Sequence, residues 1–327
     1  MKIELDMPKT RAKSAHDAYR HALRDVHQYG QPVSVRDYDT LELMNYMTIV
    51  EEPWHHCHFV PGRRWNPWLA LSEALWILAG RDDIACLLPY NKRIKEFSDD
   101  GIVNYGAYGR RIREQIEPLF IRLHNFPNDR RSVLSIWREE DLWAVTKDPP
   151  CNDLIMFKIR NGRLHMTVIN RSNDLHWGLY GVNLPTFGLL QEYLAACLDV
   201  DMGEQTHLSN SLHIYTGGVG MKENWRITER MLGAANQPLP EMPWHKRAFT
   251  APIALDTLRA GCNAVLDHPY SEDYVGEPFL EFADDFLRAY RLGYSSNISD
   301  ECRHADSYAD WIKAGEIWVQ EGQDRFK

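Results

Sequence analysis

The spacing of apolar residues predicts several helices. Over Ser14–Tyr29 apolar positions recur every three or four residues, and Gly30 follows as a stop signal. The segment Pro67–Ala79 is apolar on nearly every side, which is typical of a buried helix rather than a surface helix. Two further helices are expected over Phe279–Leu292 and Ala305–Trp318.

A break in the helical pattern is expected at Gly178–Val182. Asn183 follows this segment and can cap a new helix, with Pro185 in its first turn. Apolar residues at helical spacing then continue to Cys197. We therefore expect a loop that ends at Asn183 and a helix that begins there.

Apolar residues predict strands at Thr40–Val50 and Ser132–Trp137, and alternation of apolar and polar residues predicts a hairpin over Asp153–Ser172. Within the hairpin, Asn161-Gly162 separates two alternating segments, which is typical of a two-residue type I′ turn. The register of such a turn places Cys151 opposite Ser172 and next to Arg171. Because strands and helices mix without βαβ alternation, the predicted fold class is α+β.

Composition restricts the class of protein. Of the 327 residues, 44% are hydrophobic and 25% are charged, as in globular proteins, and no repeat or linker divides the chain. We expect a single domain over residues 1–327. The net charge of −9 argues against a general nucleic-acid binder, and no apolar run reaches the roughly 18–20 residues of a membrane span.

Cysteine and histidine usage indicates neither disulfides nor a metal. The six cysteines are scattered, and the first residues are too polar for a secretory signal, so we expect a reduced, cytoplasmic protein. The segment His55–His58 contains three histidines and Cys57, but its spacing is too tight for the usual zinc ligand patterns. We expect no metal site.

Cys151 is a candidate nucleophile. It follows Pro149-Pro150, which forbid a helix running into it, and it lies near Arg171 in the predicted hairpin. A neighbouring guanidinium lowers the pKa of a thiol and favours the reactive thiolate. The alternative is that Cys151 is a small buried hydrophobe.

Other polar residues form candidate binding groups. Separate arginines that converge on one point would bind a phosphate, whereas taken singly each is a surface residue; the candidates are Arg36, Arg130, Arg131 and Arg171. Asn170–Asp174 has many hydrogen-bonding groups for a strand end, and His213 and Tyr215 share one face of a strand. Glu73 is a carboxylate within the apolar helix, which is costly unless it has a role.

The order of these residues resembles thymidylate synthase and the related pyrimidine-nucleotide hydroxymethylases. The motifs that carry the resemblance are Arg130-Arg131, Pro150-Cys151, Arg171-Ser172-x-Asp174, Asn183 and His213-x-Tyr215, over about residues 36–215. The resemblance implies a homodimeric α+β fold with a twisted mixed sheet at the dimer interface, flanked by helices. It also implies a pyrimidine nucleoside 5′-monophosphate as acceptor and 5,10-methylenetetrahydrofolate as one-carbon donor, with no metal.

The resemblance assigns roles around the nucleotide. Cys151 resembles the nucleophile that adds to C6 of the base. The residues similar to phosphate ligands of the same subunit are Arg36, Arg171 and Ser172. Arg130 and Arg131 resemble the pair donated across the dimer interface.

The same resemblance covers the base, the sugar and the folate. Asn183 resembles the residue that reads the base edge, and His213 and Tyr215 resemble the pair that holds the sugar 3′-hydroxyl. Glu73 resembles the glutamate that organises water and protons around the base and folate, and Tyr108 the active-site tyrosine. Asp174 resembles the residue that contacts the pterin.

Several positions depart from the family pattern. Asn152 stands where the synthases have histidine, and Asn170 where they have glutamine. The segment Gly178–Asn183 is one residue longer than its counterpart. Asn91–Ser98 contains Phe97 but neither of the two tryptophans of a typical synthase, one of which shields the intermediate during hydride transfer. Gln323–Lys327 lacks the apolar ending that closes over the folate.

These departures favour hydroxymethylation, because a site that admits water at C5 does not complete hydride transfer. Methylation by a thymidylate synthase or a cytidylate counterpart is the alternative, and a nucleotide-binding homologue without activity is a third possibility. The sequence leaves open whether the base is uracil or cytosine and whether the sugar is ribose or deoxyribose.

Overall fold

The structure is a computed structural model that describes residues 9–218, 222–238, 247–267, 276–293 and 298–323. Of the C-terminal segment noted above, residues 324–327 lie outside this description. Within the described residues, none of the helices combines the length and apolar character that a bilayer-spanning segment requires.

A mixed sheet of eight strands forms the centre of the described chain. The strands are β1 Lys9–Ala12, β2 Gln31–Val35, β3 Tyr38–Val50, β4 Val133–Ser135, β5 Asn152–Arg160, β6 Arg163–Asn170, β7 Asn173–Asp174 and β8 Asp201–Gly218. The main path runs β1-β3-β8-β6-β5-β4, while β2 pairs with β3 and β7 with β8. The β1–β3, β6–β8 and β7–β8 pairs are parallel and the others antiparallel. The α+β prediction is confirmed.

Helices pack on this sheet in two apolar clusters. They are α1 Ala15–Tyr29, α2 Pro67–Ala79, α3 Tyr108–Ile112, α4 Ile116–Asn125, α5 Leu184–Cys197, α6 Lys222–Gly233, α7 Leu255–Asp267, α8 Pro278–Arg291, α9 Ile298–Glu301 and α10 Ala309–Gln323. One cluster joins α2, α5, α7, α8 and α10 to β5 and β6; the other joins α1 to β3 and β8. The predicted helices at both ends of the chain and at Pro67–Ala79 are confirmed.

The hairpin prediction is confirmed near its turn and wrong near Cys151. Asn161 and Gly162 have φ of 52° and 69°, as a type I′ turn requires, and the predicted pairing holds as far as Leu154 with Ile169. The register then shifts by one residue at Asp153, which bulges out of the ladder. As a result, the Arg171 amide donates to the Cys151 carbonyl at 3.0 Å, so Cys151 faces Arg171 and not Ser172.

The bulge has a cause outside the hairpin. The backbone amides of Ile136 and Trp137, just after β4, both donate to the carbonyl of Asp153, at 2.9 and 2.8 Å. These two bonds hold the Asp153 peptide towards β4, where it cannot take part in the β5–β6 ladder. The predicted strand over Ser132–Trp137 is accordingly shorter, because regular pairing covers only Val133–Ser135.

The expected break before Asn183 is wrong, because the chain stays helical. A π-helix over Leu175–Asn183 runs directly into α5, and Asn183 has helical φ and ψ with no side-chain cap bond. The cap is Asp174, whose side chain accepts from the amides of His176 and Trp177 at 2.6 and 3.0 Å. A π-turn holds one residue more than an α-turn, so the segment absorbs its extra residue within a helix.

Side chains from the segment before α2 bond to backbone carbonyls of this π-helix. Arg63 donates to the His176 carbonyl at 2.7 Å, and Trp65 donates to the Gly181 carbonyl at 2.7 Å. His58 Nε2 bonds to the Tyr180 carbonyl. These bonds provide partners for the polar atoms of His58, Arg63 and Trp65, which lie in or just after the segment His55–His58.

The histidine-rich segment itself is buried. His56 Nε2 lies 2.7 Å from a Glu192 carboxylate oxygen, and Cys57 is fully buried. Among the residues that the structure describes, no three His, Cys, Asp or Glu side chains lie close enough together to hold a metal ion.

Candidate active site

Cys151 and Arg171 form the centre of the candidate site. Arg171 Nη2 lies 3.8 Å from Cys151 Sγ. The same guanidinium donates through Nε to the Pro150 carbonyl at 2.9 Å and through Nη2 to the Pro149 carbonyl at 3.0 Å. Arg171 therefore fixes the peptide that carries the cysteine and also contacts its sulfur.

The expected low pKa of Cys151 is wrong for the chain by itself. Burial of the thiol raises its pKa, and the carboxylates of Asp148, Asp153 and Asp174 raise it further. Arg171 lowers the pKa but does not outweigh these effects. Proximity to one arginine was visible in the sequence, whereas the burial and the carboxylates depend on the folded chain.

Glu73 and Asp148, two acidic groups of the candidate site, both have raised pKa values. Burial and the Asp148 carboxylate raise the pKa of Glu73, on α2, to about 8. Burial raises the pKa of Asp148 itself to about 6. Tyr108, at the start of α3, has a pKa well above its usual value because of burial, with smaller contributions from Cys151, Asp148 and Glu73. At neutral pH Glu73 is therefore protonated and Asp148 ionised.

Asp148 is a site residue that the sequence reasoning missed. The sequence contains an acid directly before Pro149-Pro150-Cys151. Only the folded chain, however, shows that this acid lies beside Glu73 and Tyr108.

The raised pKa of Glu73 predicts a pH-dependent stability. Between its usual pKa and about 8 the folded chain holds a proton that the unfolded chain has lost, so stability falls as pH rises through this range. Glu73→Gln removes the ionisation, and we expect its Tm to exceed that of the wild type by at least about 2 °C at pH 9 but not at pH 4.5. Thermal unfolding at both pH values measures this, with Glu117→Gln, an exposed acid on α4, as control. Equal differences at the two pH values would contradict the assignment.

A chain of buried amides leads from the hairpin to Asn183. Asn170 donates to Asn152, and Asn152 Nδ2 lies 3.5 Å from Asn183 Oδ1. Asn183 donates to Asn173 at 3.3 Å, and Asn173 donates to Ser209 at 3.1 Å. Asn152 and Asn170, which both depart from the family pattern, thus bond directly to each other and orient the amide of Asn183.

Asp174, His213 and Tyr215 come together at the β7–β8 pair. Asp174 Oδ2 accepts from Asn224 at 3.0 Å, and Asn224 Oδ1 accepts from the Tyr215 amide at 3.3 Å. The His213 and Tyr215 rings meet edge to face at 5.2 Å. Burial lowers the pKa of His213, so its imidazole is a neutral hydrogen-bonding group.

Arg36 and Ser172 lie at the edge of this group. Arg36 is exposed in the turn between β2 and β3, with φ of 55°. Burial raises the pKa of Tyr215 to about 12, Asp174 and Cys151 add to the rise, and Arg36 opposes it, so Arg36 faces the same cluster. Ser172 is half-buried next to Arg171.

Arg130 and Arg131 do not reach Cys151 of their own chain. Both are exposed, and Arg131 bonds to Asp129. The carbonyl of the next residue, Ser132, accepts from the Phe157 amide. Phe157 is six positions beyond Cys151 along β5, which corresponds to about 20 Å at the rise of a strand.

An aromatic pair lies beside Asp174. The Trp177 ring, on the π-helix, has its centroid 6.2 Å from that of Phe97, and the Arg93 guanidinium lies 5.8 Å from the Trp177 ring. The segment Asn91–Ser98 lacks tryptophan, but the π-helix brings one against it. Sequence reasoning missed Trp177 because the contact depends on the π-helix.

Comparisons with known proteins agree with this geometry. A family model described as thymidylate synthase matches residues 17–256. A deoxyuridylate hydroxymethyltransferase of Bacillus phage SP01 is 36% identical over 221 residues, covering 62% of this chain and 58% of that protein. Another, of Pseudomonas phage M6, is 40% identical over 175 residues, covering 51% and 50%. A thymidylate synthase of Symbiobacterium thermophilum is 31% identical over 166 residues, covering 44% and 57%. The matched regions thus span about half of each relative's length.

Proposed function

Because this chain belongs to the thymidylate synthase family, we propose that it is a transferase that hydroxymethylates C5 of a pyrimidine nucleoside 5′-monophosphate. The one-carbon donor is 5,10-methylenetetrahydrofolate, and the acceptor is dUMP. The observation that carries the proposal is Cys151 held by Arg171, with Tyr108 facing both Cys151 and Glu73. The names of the two phage relatives support uracil as the base and a deoxyribose sugar.

Cys151 performs the covalent step. Its thiolate adds to C6, and the electron pair of the C5–C6 double bond becomes available at C5, which is otherwise a poor nucleophile. Protonated Glu73 is placed to donate to the oxygen at the 4-position, where negative charge develops. When bound, the folate supplies the one-carbon unit at the oxidation level of formaldehyde.

The remaining polar groups bind and orient the nucleotide. Arg171 bonds to the two proline carbonyls through Nε and Nη2, so its Nη1 is available for the nucleotide. Together with Arg36 and Ser172, Arg171 binds the phosphate. Asn183, oriented by its amide neighbours, reads the base edge, while His213 and Tyr215 hold the 3′-hydroxyl. Tyr108 lies against the Cys151 backbone. This anchoring uses phosphate binding energy to align the ring with the thiol.

The group around Asp174 fits a folate. The Trp177 and Phe97 rings offer flat apolar surfaces, and Asp174 Oδ2 has a lone pair beyond the one used by Asn224. A pterin ring has a flat face for an aromatic contact and N–H groups that a carboxylate can accept from, so these residues would hold it.

A homodimer completes the site. One row of half-exposed apolar side chains crosses four strands on the face of the sheet opposite Ile155 and Val168; it consists of Leu154, Ile169, Leu208 and Met47. An apolar sheet face of this kind is suited to a second copy of the chain. We place Arg130 and Arg131 on the phosphate of the neighbouring subunit, where they also add positive charge near Cys151, whose pKa Arg171 alone does not bring down. The six free cysteines agree with a reduced, cytoplasmic setting.

Methylation is the second candidate, and one observation favours it. Trp177 packs on Phe97 and offers an aromatic shield where Asn91–Ser98 has none. Such a shield would protect the one-carbon unit from water during hydride transfer.

Product masses test the proposed function. We expect purified protein with methylenetetrahydrofolate to convert dUMP into a product heavier by CH₂O, about 30 Da, with slower or no conversion of dCMP, UMP and CMP. Mass spectrometry of the four reactions measures this. A gain of CH₂ would identify the methylating alternative, and nucleotide binding with no product would identify an inactive homologue.

A further inference from the structure

Asp148 is held rigidly beside the candidate nucleophile. Its Oδ2 accepts from the Gly106 amide at 2.8 Å, and its own amide donates to Thr146 Oγ1 at 3.1 Å. Thr146 in turn donates to Asp99 at 2.6 Å, and Arg171 fixes the carbonyls of the two prolines that follow. The Gly106 amide therefore holds the carboxylate, and other bonds fix the backbone on both sides of Asp148.

The approach of Gly106 to Asp148 depends on the absence of a side chain. A Cβ at Gly106 would lie 2.5 Å from the Asp148 carbonyl oxygen and 3.1 Å from Oδ2. The Gly106 amide donates to Oδ2 of Asp148. Among the described residues, none forms a hydrogen bond to Oδ1. One carboxylate oxygen anchors the side chain while the other is available for water.

From this geometry we propose that Asp148 is the catalytic base that takes a proton from the water that becomes the hydroxymethyl oxygen. The inference rests on the proposed function and adds to it the residue that activates water. The water oxygen bonds to the exocyclic methylene carbon while its proton passes to Asp148 Oδ1. The electron pair of the methylene double bond moves to the oxygen at the 4-position. When this electron pair returns from the oxygen, the C5–C6 double bond forms again and the Cys151 thiolate leaves C6.

The charges around Asp148 divide the acid and base roles. Burial raises the pKa of Asp148 to about 6, and Asp99 adds to this rise. The Gly106 amide, Arg111 and Arg171 act in the opposite direction and lower the pKa. The Asp148 carboxylate contributes to the raised pKa of Glu73. It also raises the pKa values of Tyr108 and Cys151, so both of these groups lie near Asp148. At neutral pH Asp148 is the ionised member of the pair and accepts a proton, whereas Glu73 is the protonated member.

Other nearby carboxylates are less suited to this role. Asp174 accepts from two backbone amides and from Asn224, so three of its acceptor positions are filled. Asp153 belongs to the bulge, whose backbone faces β4. Glu73 at neutral pH carries the proton that a base would need to accept.

A single-turnover experiment with excess enzyme separates the two halves of the reaction. dUMP tritiated at C5 releases tritium once the one-carbon unit is attached, and the hydroxymethyl product forms only after water adds. We expect Asp148→Asn to release tritium within about threefold of the wild-type rate but to form product at least about 100-fold more slowly. Asparagine keeps an oxygen for the Gly106 amide, so the segment stays anchored. Added 2-mercaptoethanol, which attacks the methylene as a thiolate, should yield a thioether in this variant.

Matched variants and outcomes complete the test. Asp153→Asn, which removes another carboxylate near Cys151, should leave both rates within about threefold. Product formation at the wild-type rate in Asp148→Asn, or equal slowing of tritium release and product, would overturn the inference. If the variant does not fold, the wild type provides the test. Its ratio of product formed to tritium released should decrease when the pH is lowered below about 6. A ratio that does not change with pH would overturn the inference. A wild-type product with a methyl group would instead refute the proposed function.

Discussion

Cys151→Ser is expected to lower turnover by at least about 10³-fold while nucleotide affinity stays within about threefold of the wild type. A serine hydroxyl ionises far less readily than a thiol, so the covalent bond to C6 does not form. Binding is expected to persist because the guanidinium of Arg171 is held by the carbonyls of Pro149 and Pro150 as well as by the sulfur.

Turnover by product mass and affinity by calorimetry with dUMP measure this prediction. Cys197→Ser is the matched control, because Cys197 is also partly accessible but lies at the end of α5, with its sulfur near the Ile253 carbonyl. The control should keep full activity. Retention of more than about a tenth of wild-type turnover in Cys151→Ser would contradict covalent catalysis by this residue.

Mixing two inactive variants is expected to restore activity. If Arg131 acts on the neighbouring subunit, a dimer of one Arg131→Ala chain and one Cys151→Ser chain has one complete site, with cysteine from the first chain and arginine from the second. Random reassociation makes half of the dimers mixed, so we expect about one quarter of wild-type activity. The reason is that Arg131 adjoins Ser132, which pairs with Phe157, and Phe157 lies about 20 Å along the strand from Cys151 of the same chain.

The matched control for complementation is Arg171→Ala mixed with Cys151→Ser. Arg171 contacts the sulfur of its own chain, so neither site of that mixed dimer is complete and activity should not return. Subunit exchange is verified by differently tagged chains. No recovery with Arg131→Ala despite proven exchange would mean that Arg131 does not act across the interface.

Local patterns in the sequence predicted the elements that depend on neighbouring residues. The helix Pro67–Ala79 has its predicted bounds, because Asn66 caps it, proline begins it and Gly80 adopts the left-handed conformation that ends it. The β5–β6 hairpin forms around Asn161-Gly162 because both residues accept positive φ. These signals lie within a few residues of the structure that they specify.

Features that depend on distant contacts were missed. The Asp153 bulge is set by amides after β4, and the π-helix depends on Arg63, Trp65 and His58 from another segment. The candidate site was affected in the same way. The sequence places Cys151 near Arg171, but the raised pKa of the thiol comes from burial and from carboxylates that the fold brings together.

The family resemblance identified site residues that no local pattern could assign, and their roles stay predictions. His213, Tyr215 and Asp174 are brought together by the β7–β8 pair and by Asn224. Asp148 and Trp177 received no role from the resemblance, and only the folded chain shows that they lie at the candidate site. Both lie where hydroxymethylation and methylation diverge, one as a candidate base for water and the other as a candidate shield.

The central claim is that water, and not hydride from the folate, completes the transfer to C5. It is tested most directly by following one reaction of dUMP with methylenetetrahydrofolate both by product mass and by absorbance near 340 nm. We expect a product heavier by about 30 Da and no rise in absorbance, because tetrahydrofolate leaves without oxidation to dihydrofolate. A product heavier by about 14 Da, with one dihydrofolate formed for each nucleotide, would contradict the claim and identify a methylating enzyme.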